Sequence, residues 1–199
     1  LRVLDTNVTK QQRIRMTESF MIMPKTITLV IGGASSGKSS IAEKICFHSG
    51  LDRIYLASAQ TFDDEMRTKV DRHRTQRGEN WHTIEEPFNA ARIVAAATAG
   101  QIVLFDCATL WLTNHLLADH DLEAETQALL DALRQTPAQI VIVTNEVGQG
   151  IVPDNALSRQ FRIAQGTLNR QIAEVAGAVV GVMAGLPFML KGARPEALS

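Results

Sequence analysis

Gly32, Gly37, Lys38 and Ser39 in the stretch IGGASSGKSS, residues 31–40, satisfy G-x-x-x-x-G-K-[ST]. Glycines at 32, 33 and 37 let a backbone curl with its N–H groups pointing inward, and a following helix adds partial positive charge where phosphate oxygens would lie. In that arrangement the loop Gly32, Gly33, Ala34, Ser35, Ser36, Gly37 cradles a nucleoside triphosphate. Lys38 neutralises the β and γ oxygens, and the Ser39 hydroxyl ligates Mg²⁺. The competing reading is an ordinary glycine turn before a helix. The apolar run TITLVI on one side and the helical pattern from Lys38 on the other favour the phosphate loop.

Phosphate chemistry of this kind asks for an acid at the end of a second buried strand. The run QIVLFD ends on Asp106, placed to hold Mg²⁺ directly or through water, or alternatively to cap the helix that follows. Glu146 in VTNEVGQGIVP also ends a strand-like run, with structural and functional readings both open. The segment DDEMRTKVDRHRTQRGENW, residues 63–81, sets Arg67, Lys69, Arg72, Arg74 and Arg77 around His73. Met66, Val70 and His73 fall at i, i+4 and i+7, so His73 equally continues a buried helix face, with the arginines as a solvated face or a lid over phosphate.

The elements that must position these groups alternate. Strand-like runs occur at 26–31, 53–58, 101–106, 139–144 and 178–185, with another around WHTIEE, and helices are expected at 38–48, 63–76, 88–98, 109–118, 122–134 and 155–176. Near-continuous Ile, Val and Leu runs suit strands buried on both faces, so the expected fold is α/β, P-loop NTPase-like, a mostly parallel sheet with helices on both faces. The chain of 199 residues, 45% hydrophobic and 21% charged, suits one core. Residues 25–199 are therefore read as a single nucleotide-binding domain, and residues 1–24, which lack clear periodicity, as a leader or added extension outside the fold.

A net charge of −1 and 5% aromatic residues point away from nucleic acid and anionic membranes, toward a small-molecule partner. No run of about 18 apolar residues offers a transmembrane segment. Cys46 and Cys107 have no framework spacing, which fits a reducing cytoplasm. N-K-x-D, the usual guanine-reading string of switch GTPases, is absent. His48, His82, His115 and His120 read as structural or surface residues, and no H-E-x-x-H or His/Cys motif suggests zinc, so the expected metal is Mg²⁺ accompanying nucleotide.

The order GGASSGKS, YLASAQTFDDEM, RHRTQRGENWHTIEEP, DCATLWLTN, VTNEVGQGIVP and AGLPFMLK resembles the bifunctional adenosylcobinamide kinase/adenosylcobinamide-phosphate guanylyltransferase family of cobalamin biosynthesis. The resemblance covers about residues 27–192. It implies that a nucleoside triphosphate, ATP or GTP, phosphorylates adenosylcobinamide. GTP then gives GMP to adenosylcobinamide phosphate through a GMP-histidine intermediate, releasing pyrophosphate and forming adenosylcobinamide-GDP. By motif the histidine is His73. Its arginine neighbours would disfavour the imidazolium and offset charge on phosphate oxygens.

The resemblance further implies nucleotide contacts at Ala57, Ser58, Ala59, Arg74, Thr75, Gln76, Arg77, Glu85 and Asp106, and a ring-like homotrimer. One departure stands out: the family's loop commonly reads GGxRSGKS, and this chain has Ser35 at the arginine position. Two alternatives remain in view, a P-loop small-molecule kinase without guanylyl transfer and a GTP-gated interaction module.

Overall fold

In a computed structural model, which describes residues 26–60 and 80–199, seven strands form one sheet. They are β1 (Ile27–Gly32), β2 (Asp52–Ala57), β3 (Trp81–Glu85), β4 (Gln101–Asp106), β5 (Gln139–Asn145), β6 (Ala178–Met183) and β7 (Leu186–Lys191). The order across the sheet is β3-β2-β4-β5-β1-β6-β7, parallel throughout except for the β6–β7 pair. The helices are α1 (Lys38–His48), α2 (Ala90–Ala96), α3 (Ala108–Leu117), α4 (Leu122–Gln135) and α5 (Ala156–Val175), followed by a 3₁₀ turn at Glu196–Leu198. The helix expected at 63–76 lies outside the described residues.

Strand alternation sorts the apolar side chains into two cores. On one face Leu29, Leu56, Phe105 and Ile142 pack against α2, α3, α4 and α5 through Val94, Trp111, Leu129, Leu168 and Ile172. On the other, Val30, Tyr55, Leu104, Val143 and Val182 meet Ala42, Ile45 and Cys46 of α1 and the terminal turn residues Ala197 and Leu198. Both faces are covered, which is why the central strands read as unbroken apolar runs.

Helix ends explain where α4 and α5 begin. Asp121 accepts from the backbone N–H groups of Glu123 and Ala124 at the start of α4, and Asn155 accepts from that of Ser158 at the start of α5. Helix α1 has no such side-chain cap: it opens on Gly37 in the left-handed region, φ 94°. Its first N–H groups are left facing the loop before it.

One expectation needs correction. The run at 178–185 does not continue as a strand: β6 stops at Met183, Ala184 (φ 52°) and Gly185 (φ 79°) turn, and Met183 pairs with Leu186. Positive φ at both central residues is the two-residue hairpin that the sheet's twist favours. The returning strand β7, LPFMLK, went unread because it is an edge. Leu186 and Leu190 are exposed and Pro187 occupies a position an edge strand tolerates.

Candidate nucleotide site

All four strands that carry predicted site residues beside β1 run in its direction, so their C-terminal ends share one edge of the sheet. The register makes a row: Val30 pairs with Val143, Val143 with Asp106, Asp106 with Ala57, and Ala57 with Glu85. At about 4.8 Å per strand, Asp106 lies roughly 10 Å from β1 and Glu85 roughly 19 Å. Backbone bonds knit this edge: Glu146 N–H to the Gly32 carbonyl at 3.0 Å, Ser58 N–H to that of Asp106 at 3.4 Å and Glu86 N–H to that of Ala57 at 2.9 Å.

The loop from Gly32 to Gly37 leaves β1 at this edge and enters α1. A Cβ on Gly32 would stand 2.4 Å from the Val182 carbonyl oxygen and 2.6 Å from Ser36 Oγ, so only glycine fits. Gly185 at the β6–β7 hairpin tip donates its N–H to the Ser36 carbonyl at 2.8 Å, bracing the loop from the far end of the chain. Ser35 sits exposed at the loop's tip in the left-handed region, φ 55°. Lys38 Nζ donates to the Gly33 carbonyl at 3.0 Å. Lys38 opens α1 directly after the loop, at the same edge of the sheet as the end of β4.

Asp106 Oδ2 accepts a hydrogen bond from Tyr55 Oη on the neighbouring strand at 3.1 Å. The residue after it, Cys107, is no nucleophile. Burial and the adjacent Asp106 charge push its thiol up to about 12, against the lowering effect of the Leu110 and Thr109 N–H groups and Lys38. Cys46 is likewise buried and shifted upward, mainly by burial. Both cysteines are free.

The Ala57–Ala59 segment follows β2 into the same edge. The Ser58 hydroxyl is fully buried: it donates to the Cys107 carbonyl at 2.7 Å and accepts from the Cys107 N–H at 3.0 Å. Asn114 of α3 donates its side-chain amide to the Ser58 and Pro87 carbonyls. The Ser58 side chain is thus turned into the protein rather than outward. Glu85 is exposed at the end of edge strand β3. Its neighbour Glu86 is structural: burial would raise its carboxyl, but bonds from the N–H groups of Asn89 and Phe88, the Asn89 side chain and Arg92 hold it below the ordinary value. Glu146 closes its own turn by accepting from the Gly148 N–H. His73, Arg74, Thr75, Gln76 and Arg77 lie outside the described residues.

Sequence reasoning missed the polar group that holds β5 against α3 and α5. Thr144 donates to Asn169 Oδ1 at 2.7 Å, Gln165 Nε2 reaches both at 3.0 and 2.8 Å, Asn169 Nδ2 donates to the Asn145 carbonyl, and Thr109 Oγ1 accepts from the Asn145 N–H. Thr144 and Gln165 are fully buried. The readable signal was Gln165 and Asn169, four apart, interrupting the apolar stripe Phe161, Leu168, Ile172 of α5. Two buried oxygens near the edge, Ser36 Oγ and Asn145 Oδ1, have no partner among the described residues.

A parallel sheet, a glycine loop running from its strand β1 into an uncapped helix, a lysine at that helix's start and an acid two strands away define a P-loop nucleotide-binding protein. The chain belongs to the cobinamide kinase / cobinamide phosphate guanyltransferase family, whose model matches residues 28–190. It is 46% identical over 167 residues to the bifunctional adenosylcobalamin biosynthesis protein CobP of Pseudomonas aeruginosa, covering 82% of this chain and 96% of that protein. To the bifunctional adenosylcobalamin biosynthesis protein CobU of Escherichia coli it is 37% identical over 179 residues, covering 82% and 98%. A solved protein of Pyrococcus horikoshii OT3 shares the fold with a TM-score of 0.50 and 11% identity, over 91% of this chain and 94% of that one.

Proposed function

We propose that this enzyme phosphorylates adenosylcobinamide with a nucleoside triphosphate and then guanylylates the product with GTP, using His73 as the covalent carrier. The observation that carries the reading is the placement of the glycine loop, Lys38 and Asp106 on one edge of the sheet in a chain of this family.

In the first reaction the hydroxyl oxygen of adenosylcobinamide attacks the γ-phosphorus. The bond to the β-phosphate oxygen breaks, nucleoside diphosphate leaves and the hydroxyl proton is released. The loop N–H groups and the open end of α1 hold the phosphates, and Lys38 offsets charge that grows on their oxygens in the transition state. Ser39 and Asp106 offer hard oxygen donors of the kind Mg²⁺ takes, and Mg²⁺ bound there would neutralise phosphate charge. Tyr55 fixes the rotamer of Asp106 through the 3.1 Å bond.

In the second, the neutral imidazole of His73 attacks the α-phosphorus of GTP. The P–O bond to the β-phosphate breaks, pyrophosphate leaves and a P–N bond forms. A phosphate oxygen of adenosylcobinamide phosphate then attacks the same phosphorus, and the P–N electron pair returns to the imidazole. Arg74, Thr75, Gln76 and Arg77 are assigned to the phosphates, and Glu85 to the guanine edge. An extended nucleotide whose phosphates rest on the loop would run along the Ala57–Ala59 backbone toward Glu85.

Ser35 in place of arginine favours a second reading, a kinase without guanylyl transfer, because one cation is missing from the loop tip. GTP labelled at the α-phosphate separates the two. Acid-labile, base-stable label on the protein, lost in His73→Ala, is expected; a protein that transfers γ-phosphate yet never takes up α-label is the plain kinase. A GTP-gated interaction module would consume no nucleotide when cobinamide is supplied. Assembly as a homotrimer and a cytoplasmic location belong to the same proposal. Light scattering of the purified enzyme and fractionation of cells test them. Among the described residues no helix is long and apolar enough to cross a membrane.

A further inference from the structure

At the opposite end of α3 from Asp106, the helix exit brings two histidines together. His115 Nδ1 and His120 Nδ1 stand 2.9 Å apart, and His115 Nε2 lies 3.1 Å from the Phe88 carbonyl oxygen. A carbonyl can only accept, so Nε2 of His115 carries the proton and its Nδ1 presents a bare lone pair toward His120. A carboxylate oxygen of Glu125, in the first turn of α4, joins the two nitrogens with all three atoms within 4.8 Å of one another.

We propose that His115, His120 and Glu125 form a binding site for a divalent ion of the Zn²⁺ type, separate from the nucleotide site and stapling the exit of α3 to the start of α4.

The arrangement has the features that distinguish a ligand set from a chance pair. Zn²⁺ bonds of about 2.0–2.1 Å in a tetrahedron put neighbouring ligand atoms roughly 3.3 Å apart. The His115–His120 pair must therefore open by only about 0.4 Å, and the Glu125 carboxylate must swing inward. The bond from His115 to Phe88 is the outer-shell contact that fixes a metal-binding imidazole's tautomer and ring plane. Ring contacts hold the plane further: the His115 ring stands 4.6 Å from that of Trp111 and 5.3 Å from that of Phe88. The C-terminal end of α3, negative by its dipole, points at the site. His120 is exposed, which leaves room for water as a fourth ligand. Two imidazoles and one carboxylate suit Zn²⁺ and its borderline neighbours better than Mg²⁺, which prefers oxygen in an octahedron.

The consequence reaches the nucleotide edge through Phe88. Its carbonyl accepts from both His115 Nε2 and Trp111 Nε1, the latter at 2.7 Å, and the turn it belongs to carries the chain away from Glu85 and Glu86. An ion there would clamp that turn onto α3. No local motif marks such a site, since the ligands sit at i, i+5 and i+10 across a helix end rather than in any helical zinc motif.

The full chain, stripped with chelator, is titrated with ZnCl₂ by calorimetry in excess Mg²⁺ and without nucleotide, with Co²⁺ as a spectroscopic substitute. One ion per chain, tetrahedral cobalt bands and a raised melting temperature are expected. His120→Ala and Glu125→Gln, both at accessible positions, should each weaken Zn²⁺ at least about 100-fold, beyond the loss typical of an outer-shell partner. His82→Ala should leave binding intact. No Zn²⁺ uptake, or uptake that His120→Ala and Glu125→Gln leave unchanged, overturns the proposal.

Discussion

Tyr55 Oη donates to Asp106 Oδ2 at 3.1 Å, so the acid at the end of β4 is oriented by the strand beside it. Tyr55 is buried among apolar side chains and its ring stands 6.0 Å from that of Trp81. Phenylalanine keeps that packing and deletes the bond. Tyr55→Phe should lower kcat for phosphoryl transfer about fivefold, corresponding to about 1 kcal/mol, with melting temperature little changed. Steady-state kinetics at saturating Mg²⁺ and nucleotide checks this; an unchanged kcat would mean that Asp106 needs no orienter.

The hairpin that braces the phosphate loop is strained at Ala184, a non-glycine residue at φ 52°. Asparagine tolerates that region and forms the preferred pair with the following glycine. Ala184→Asn should therefore stabilise the protein by about 0.5–1 kcal/mol, read as a higher urea midpoint at constant slope. Destabilisation would show that the side chain at 184 matters more than its backbone.

Removing one member of the buried polar group has the opposite sign. Asn169→Leu leaves Thr144 Oγ1, Gln165 Nε2 and the Asn145 carbonyl each without a partner they now have. The expected loss is about 3 kcal/mol in chemical denaturation, well above that of an exposed substitution on the same helix such as Arg170→Ala.

Acid sensitivity should begin with His115. Its folded value is depressed, so below about 6.5 the unfolded chain takes up a proton that the folded chain refuses, and stability falls as pH drops from there toward the folded value. His120 and Glu125 are the titratable groups beside the same ring. Above about 6.5 the contribution is fully present. Melting temperatures of metal-free protein between pH 5 and 7.5 should decline on the acid side, and His115→Asn should flatten that part of the profile. Glu86, held low by its four donors, acts only at lower pH, below its ordinary carboxylate value.

The phosphate loop, its strand and its helix were legible because glycine and lysine at those positions have few other uses, and the parallel sheet because strands covered on both faces read as Ile and Val runs. Asp106 was readable as a strand end. The partner that orients it was not, since Tyr55 lies 51 residues away in the chain and only the β2–β4 pairing brings it near. For the same reason the enclosure of the Ser58 hydroxyl by Cys107 was not readable. Strand β7 and the histidine pair escaped because an edge strand and a helix exit have weak patterns. Their order comes from Gly185 on Ser36 and from Phe88 on His115, contacts that no local window contains.

The position of β1 in the sheet also fixes when the protein becomes competent. Its two neighbours are β5 and β6, more than a hundred residues downstream, and the brace on the glycine loop comes from Gly185. During synthesis the glycine segment therefore emerges long before β5, and longer still before β6 and the hairpin that braces it. Long-range closure of this kind makes folding slow.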